Sequence, residues 1–387
     1  MKNLWKERKK ILFLACAVFM VLFVGILISF NRGIERTDLR PTGGTKFARA
    51  VVEEVLESNN DISENGEYSG NQKVRIRITS GEFEGEVCEA QSPYANHSGA
   101  DCYPGLKVII LVNQNDAGEI VASVYNYDRT GMLWMLIVLF LAILCVIGGK
   151  KGFAAAAGLV FTFACIFFFY IPLMYTGFSP FLAATLTAVL ITIVVMMMIG
   201  GWSYKTLCSI LGTIAGVLIA GGMAALFGKL SHISGLNVDD IETLAYVAEN
   251  SDLKVSGVLF SGILIASLGA VMDVSMSVSS TIAEIHEANP EFSVKRLFQS
   301  GINVGKDMMG TMSNTLILAF AGSSVSTLLI TYAYNKPYLE YMNDYAIGIE
   351  LLRGMSGSIG VIMTVPFVSA ISAFLMAGAH NKHFTKN

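Results

Sequence analysis

Two patterns of apolar and polar positions divide the chain. Between residues 46 and 127 apolar residues alternate with polar ones in short runs, whereas most of the rest is blocked into apolar stretches of membrane-crossing length. The alternating part predicts five strands, in ARAVVEEVLE, KVRIRIT, FEGEVCEA, LKVIILV and EIVASVYNY, separated by Gly, Asn, Ser and Pro clusters. KVRIRIT is the cleanest: Val74, Ile76 and Ile78 face one way, and Lys73, Arg75, Arg77 and Thr79 face the other. Five short strands of this kind suggest a small closed or half-closed barrel of OB-like type. The polar segment NNDISENGEYSGNQ reads as a loop between two of them.

The blocked part gives eight candidate spans, at approximately 11–30, 132–148, 153–174, 181–200, 207–227, 255–279, 309–333 and 355–378. The expected fold is therefore an all-α polytopic membrane protein with about eight transmembrane helices and one small extracytoplasmic β-barrel-like domain. Residues 1–31 form an N-terminal tail and first anchor, 32–131 the β domain, and 132–387 a seven-helix transmembrane domain. Composition agrees: 53% of residues are hydrophobic and only 15% charged, too few for an ordinary soluble chain.

The net charge of −3 says little, but its distribution sets an orientation. With the N-terminus inside, the inner segments hold Lys2, Lys6, Arg8, Lys9, Lys10, Lys150, Lys151, Lys205, Lys295, Arg296, Lys306, Lys382 and Lys386. The three short outer loops hold only Lys229, Lys254, Lys336 and Arg353. The positive-inside rule then places both termini in the cytoplasm and residues 31–131 outside. MKNLWKERKK followed by an apolar run resembles a signal peptide, but the run is long and ILISFNRG lacks an A-x-A-like cleavage site. An uncleaved anchor is expected.

Cys16, Cys145, Cys165 and Cys208 fall in spans and read as small apolar residues. Cys88 and Cys102 share the outer domain, where a disulfide would persist, although sharing a small domain does not bring two thiols within bonding distance. No CxxC or HExxH occurs, so no metal site and no cofactor are expected. GGMAALFGKLS and GINVGKD fail as phosphate-binding loops, the first by its glycine spacing and Leu230, the second by Asp307 after the lysine. Arg75 and Arg77 lie outside the cell in this topology, so they read as a solvated strand face and not as a nucleic-acid surface.

The chemistry concentrates in two spans. VSGVLFSGILIASLGAVMDVSMSVS carries a single carboxylate, Asp273, on the same helical face as Gly262, Ala266, Ala270 and Ser277. An ionisable group at that depth is expensive and is usually kept because something binds or moves there. The small residues lead one to expect the acid to point at a neighbouring helix. In the following span Asn303, Asp307, Gly310 and Asn314 recur at spacings of 4, 3 and 4 along one face. Helix rise puts Asp273 roughly 9 Å and Asn314 roughly 7.5 Å from the cytoplasmic edge, depths at which the two would meet, directly or around an ion. The sharp reading is a cation or proton site built from Asp273, Ser277, Asn314 and, at its mouth, Asp307, with Asn303 and Lys306 nearby. The plain reading is helix–helix glue, with Asp273 bonded to Asn314 or neutralised by Lys306. Glu350 and Arg353, at i and i+3, are expected to pair at the mouth of the last span. Gly212, Gly216, Ala220 and Ala224 form a small-residue packing stripe, and Pro366 marks a kink.

Four segments carry a resemblance: YDRTGMLWMLIVLF from Tyr127, GAVMDVSMSVSSTIAEI from Gly269, NVGKDMMGTMSNTLILAFAG from Asn303 and IELLRGMSGSIGVIMTVP from Ile349. Together they resemble the YibE/YibF-like membrane protein family, with Lys306 departing from an arginine in the family pattern. The resemblance implies a bacterial multi-pass membrane protein and no particular reaction. A transporter or permease with an ion site at Asp273 is the leading expectation, although no inverted repeat or broken helix pair stands out in the sequence. The alternative is a non-transporting assembly or sensory component whose outer domain binds a protein partner. An intramembrane aspartyl hydrolase using Asp273 and Asp307 is disfavoured, because the G-K-D context lacks the G-x-G-D pattern; the chain is not expected to be an enzyme.

Overall fold

A computed structural model describes residues 23–34, 39, 45–64, 66–95, 98–115, 118–236 and 240–384, with side chains of the last helix to 377. The proposed anchor's first half, residues 11–22, lies outside the described residues. The chain divides into two compact units, 38–143 and the remainder.

The first unit is a closed five-stranded barrel. Its strands are β1 (Lys46–Ser58), β4 (Asn71–Ile78), β5 (Val87–Pro93), β6 (Lys107–Gln114) and β7 (Ile120–Tyr127), in the order β1-β4-β5-β7-β6. All pairings are antiparallel except β5–β7, so the order is a crossed, OB-like one and not a simple meander. β1 closes the barrel by pairing with β6 through Lys46–Val51 and with β4 through Ala50–Ser58. Register shifts at Val52/Glu54 and Val55/Glu57 bend it from one neighbour to the other. Val74, Ile76 and Ile78 are fully buried, as their alternation requires, while Lys73, Arg75 and Arg77 pair on the outside with Glu89, Glu54 and Glu53. The five strands match the five segments read from the sequence. The segment read as a plain polar loop instead contains a two-stranded hairpin, β2 (Asp61–Ile62) and β3 (Tyr68–Ser69). Gly70 closes it at φ 134°, where a Cβ would lie 2.7 Å from the Asn60 Cα. Cys88 and Cys102 are separate thiols, Cys102 buried and Cys88 half-buried, so the disulfide is not formed. Burial pushes both thiols up from their ordinary range.

The second unit is helical, and the helix that begins at Thr130 belongs to the first unit up to Ile143. α1 is Phe23–Arg32. α2 (Thr130–Cys165) continues through a π turn (Ile166–Tyr170) into α3 (Ile171–Tyr175). There follow α4 (Pro180–Gly200), α5 (Tyr204–Leu230), α6 (Ile241–Glu249), α7 (Val258–Ala288), α8 (Val294–Ser323), α9 (Val325–Ala333), α10 (Tyr338–Met342) and α11 (Tyr345–Phe384). Among the described residues five stretches are long and apolar enough to cross a membrane, and α8 with α9 makes a sixth, bent by 64°. The first of the five, Thr130–Tyr175, covers two of the spans read from the sequence. Its backbone leaves the helical region at Gly149 (φ 54°, ψ −131°), and a Cβ on Gly152 would collide with the Leu144 carbonyl. The bent pair corrects the expectation of an unbroken span over 309–333.

The core of this unit is the packing of α5, α7 and α11. Gly212 accepts Ser275 and Val368, Gly216 accepts Thr364 and Val271, and Ala220 lies against Gly360. The small-residue stripe is thus a packing face, since only residues of this size let three backbones approach so closely without water to drive them together. Ser275 Oγ donates to Ser209 O (2.8 Å) and Ser279 Oγ to Lys205 O (2.6 Å), tying α7 to α5.

Candidate functional site on the outward faces of two spans

The bonds to α5 fix the rotation of α7. Ser267, Ser275 and Ser279, with Leu264, Val271 and Ile282, are buried in the bundle, so the face half a turn away must leave it. That outward face carries Gly262, Ala266, Gly269 and Asp273, all exposed, with Ser277 half-buried at its edge. Among the described residues Asp273 therefore does not point at a neighbouring helix, contrary to the sequence expectation. Among the described residues no hydrogen bond or ion pair reaches its carboxylate. The small residues beside it belong to the open face, while serines on the opposite face make the helix contact.

α8 repeats this division more sharply. Its N-terminus is capped by Ser293, whose side chain accepts from Arg296 N. Only Leu297, Gly301, Gly305 and Leu316 are buried. Gly301 packs against Ser369 and Ile282, and Gly305 against Val365, so α8 lies close along α11. The opposite face presents Asn303, Lys306, Asp307, Gly310, Thr311, Asn314 and Thr315, all exposed. Thr311 and Thr315 hydroxyls donate back to helix carbonyls of Met308 (3.0 Å) and Thr311 (2.9 Å). The side chains of Asn303, Lys306, Asp307 and Asn314 have no partner among the described residues. Asp273 and Asn314 do not bond to each other, and Lys306 does not neutralise Asp273. The spacing of 4, 3 and 4 placed four α8 residues on one face correctly; which way that face points was not contained in it.

A third group stands at the other end of α8. The helix stops at Ser324, whose N–H donates to Phe320 O and Ala321 O (both 3.2 Å), and α9 departs at 64°. Ser324 and the neighbouring Ser323 hold the chain where an apolar helix is interrupted. On α11, Arg353 Nη1 donates to Glu350 Oε1 at 2.9 Å, the expected pair, while Glu350 Oε2 is buried with no partner among the described residues. Gly354 lies against Ile317 and Gly357 against Leu316 in this antiparallel pair. Continuing that register by one turn brings Glu350 level with the last turn of α8, at the break. The break is the feature that sequence reading missed. GSSVS, a glycine and three small hydroxyl residues within an apolar run, was its available signal.

Among the described residues no three His, Cys, Asp or Glu side chains cluster as a metal site. What the arrangement offers is a polar strip along α8, the carboxylate of Asp273 in the apolar part of α7, and a break after α8 with an acid–base pair beside it.

Comparison with known proteins adds one finding. Residues 136–378 match the family model described as YibE/F-like protein, and the chain belongs to that family. The match begins within α2 and leaves out the barrel. No curated protein and no solved structure matches the chain.

Proposed function

We propose that this YibE/F-like membrane protein is a transporter or permease of the bacterial cytoplasmic membrane, whose polar path runs along the outward face of α8. The observation that carries the reading is the run of unpartnered Asn303, Lys306, Asp307 and Asn314 on a helix broken by 64° at its far end. Polar groups at membrane depth cost several kcal/mol each unless they meet protein or water, and broken spans recur where transporters hold their substrates. In this reading Asp307 and Asn314 supply oxygen ligands along the path, Asp273 and Ser277 flank it, and Glu350 with Arg353 gates its outer end. Counting the two sides of Gly149 separately, the topology is eight spans with both termini in the cytoplasm and the barrel outside, as the lysine and arginine distribution favours.

Proteoliposomes test this directly. With trapped pyranine as reporter, gradients of H⁺, Na⁺, K⁺ or Mg²⁺ should drive a pH change that Asp307→Asn and Asp273→Asn reduce at least tenfold. Protein-independent signals under all four gradients would defeat the ion-coupled reading.

One observation favours the alternative of an assembly or sensory component: the barrel is a compact unit of its own, outside the family match. On that reading, removal of 47–127 abolishes function while Asp273→Asn is mild. A path along α8 gives the reverse order.

A further inference from the structure

We infer that the outward face of α8 is covered by α8 of a second copy of this chain, so that the polar path lies between two protomers. The inference rests on the reading that this face is enclosed and not bathed in lipid. Asn303, Asp307, Gly310 and Asn314 stand at spacings of 4, 3 and 4, the seam along which two parallel helices interlock. A two-fold axis along the membrane normal makes the two α8 helices parallel and brings equal depths together.

The residues fit that symmetry. Asn314 meets Asn314 of the other copy, and a carboxamide is both donor and acceptor, so each can satisfy the other. Gly310 has nothing within 4 Å of a Cβ position, leaving room at the centre of the seam for a close backbone approach. Lys306 flanks the seam beside Asp307. Each lysine therefore reaches the other protomer's Asp307, and two carboxylates at the axis are balanced by two ammonium groups. A lipid neighbour would leave both Asn314 amides, which lie inside the expected span 309–333, without partners. A different protein would need to match a surface that already complements itself.

Cysteine cross-linking of the full chain in native membranes decides it. Gly310→Cys and Asn314→Cys are treated with copper phenanthroline. Wild type serves as the blank, and Leu218→Cys, exposed on α5, as the lipid-facing control. The inference expects a disulfide-linked dimer for both seam variants and none above background for the control. Parallel labelling with a sulfonated maleimide separates the two readings. If neither variant cross-links but both are labelled from water, the second copy is overturned and the polar path survives. If neither cross-links nor labels, the face is lipid-exposed and both readings fall.

Discussion

The Ser275 hydroxyl donates to the Ser209 carbonyl at 2.8 Å, and two residues earlier on the same helix Asp273 leaves the bundle. That bond, with the Ser279–Lys205 bond one turn further on, fixes the rotation that puts the only carboxylate of this apolar stretch on the open face. Asp273→Asn should accordingly leave the thermal unfolding temperature in detergent within about 1 °C of wild type, because it removes no internal contact. It should still reduce flux at least tenfold. A matching loss of stability would mean that the acid has an internal partner.

Gly216 stands where Thr364 and Val271 close in, and a Cβ there would lie 2.9 Å from the Val271 Cγ1. Gly216→Leu should cost about 1–3 kcal/mol by overpacking. The expected signs are a lower unfolding temperature and a broadened size-exclusion peak. Gly222→Leu, with nothing within 4 Å of its Cβ position, is the neutral control on the same helix.

The charge pattern at the seam can be inverted. Asp307→Lys alone should reduce the cross-linked dimer formed through Asn314→Cys by severalfold, because four ammonium groups then crowd the axis. Adding Lys306→Asp restores two charges of each sign and should return the yield toward wild type. An unrecovered yield in a folded double variant would refute pairing across the two protomers.

The loop before α11 carries a pH-dependent contact. Lys336 Nζ donates to Asp344 Oδ2 at 2.7 Å, and this bond holds the Asp344 carboxyl below its usual range and raises the Lys336 ammonium. For the lowered Asp344, the stabilisation is present above the unfolded carboxylate value and is lost as pH falls through the folded one. For the raised Lys336, it is present below the unfolded lysine value and lost as pH rises through the folded one. Asp344→Asn should flatten the acid limb of unfolding temperature against pH, by a small amount because both groups are partly exposed.

Cys88 and Cys102 should react slowly with iodoacetamide at pH 8, since burial disfavours the thiolate at both. Peptide mass spectrometry should show Cys102 the slower of the two, and both should be modified rapidly in denaturant. A Cys88–Cys102 disulfide peptide under non-reducing digestion would contradict the separate thiols.

Much of the fold was legible in the residues. Alternation in KVRIRIT named the buried faces of a strand, and apolar runs marked the helices, because both depend only on local geometry and on transfer from water. Spacing likewise grouped Asn303, Asp307, Gly310 and Asn314 on one face. What only the tertiary structure decided is which face turns inward. α7 has one side lined by Ser267, Ser275 and Ser279 and another lined by Gly262, Ala266 and Gly269, and either could meet a neighbour. Gly212 and Gly216 on α5 leave space that fits the serine side, so Asp273 faces out. The break at Ser324 has the same character. Serines are tolerated inside straight membrane helices, and the sequence does not say that α9 departs at 64°. A helix buried in an apolar phase has no polar side to announce its orientation; the fit between helices chooses it.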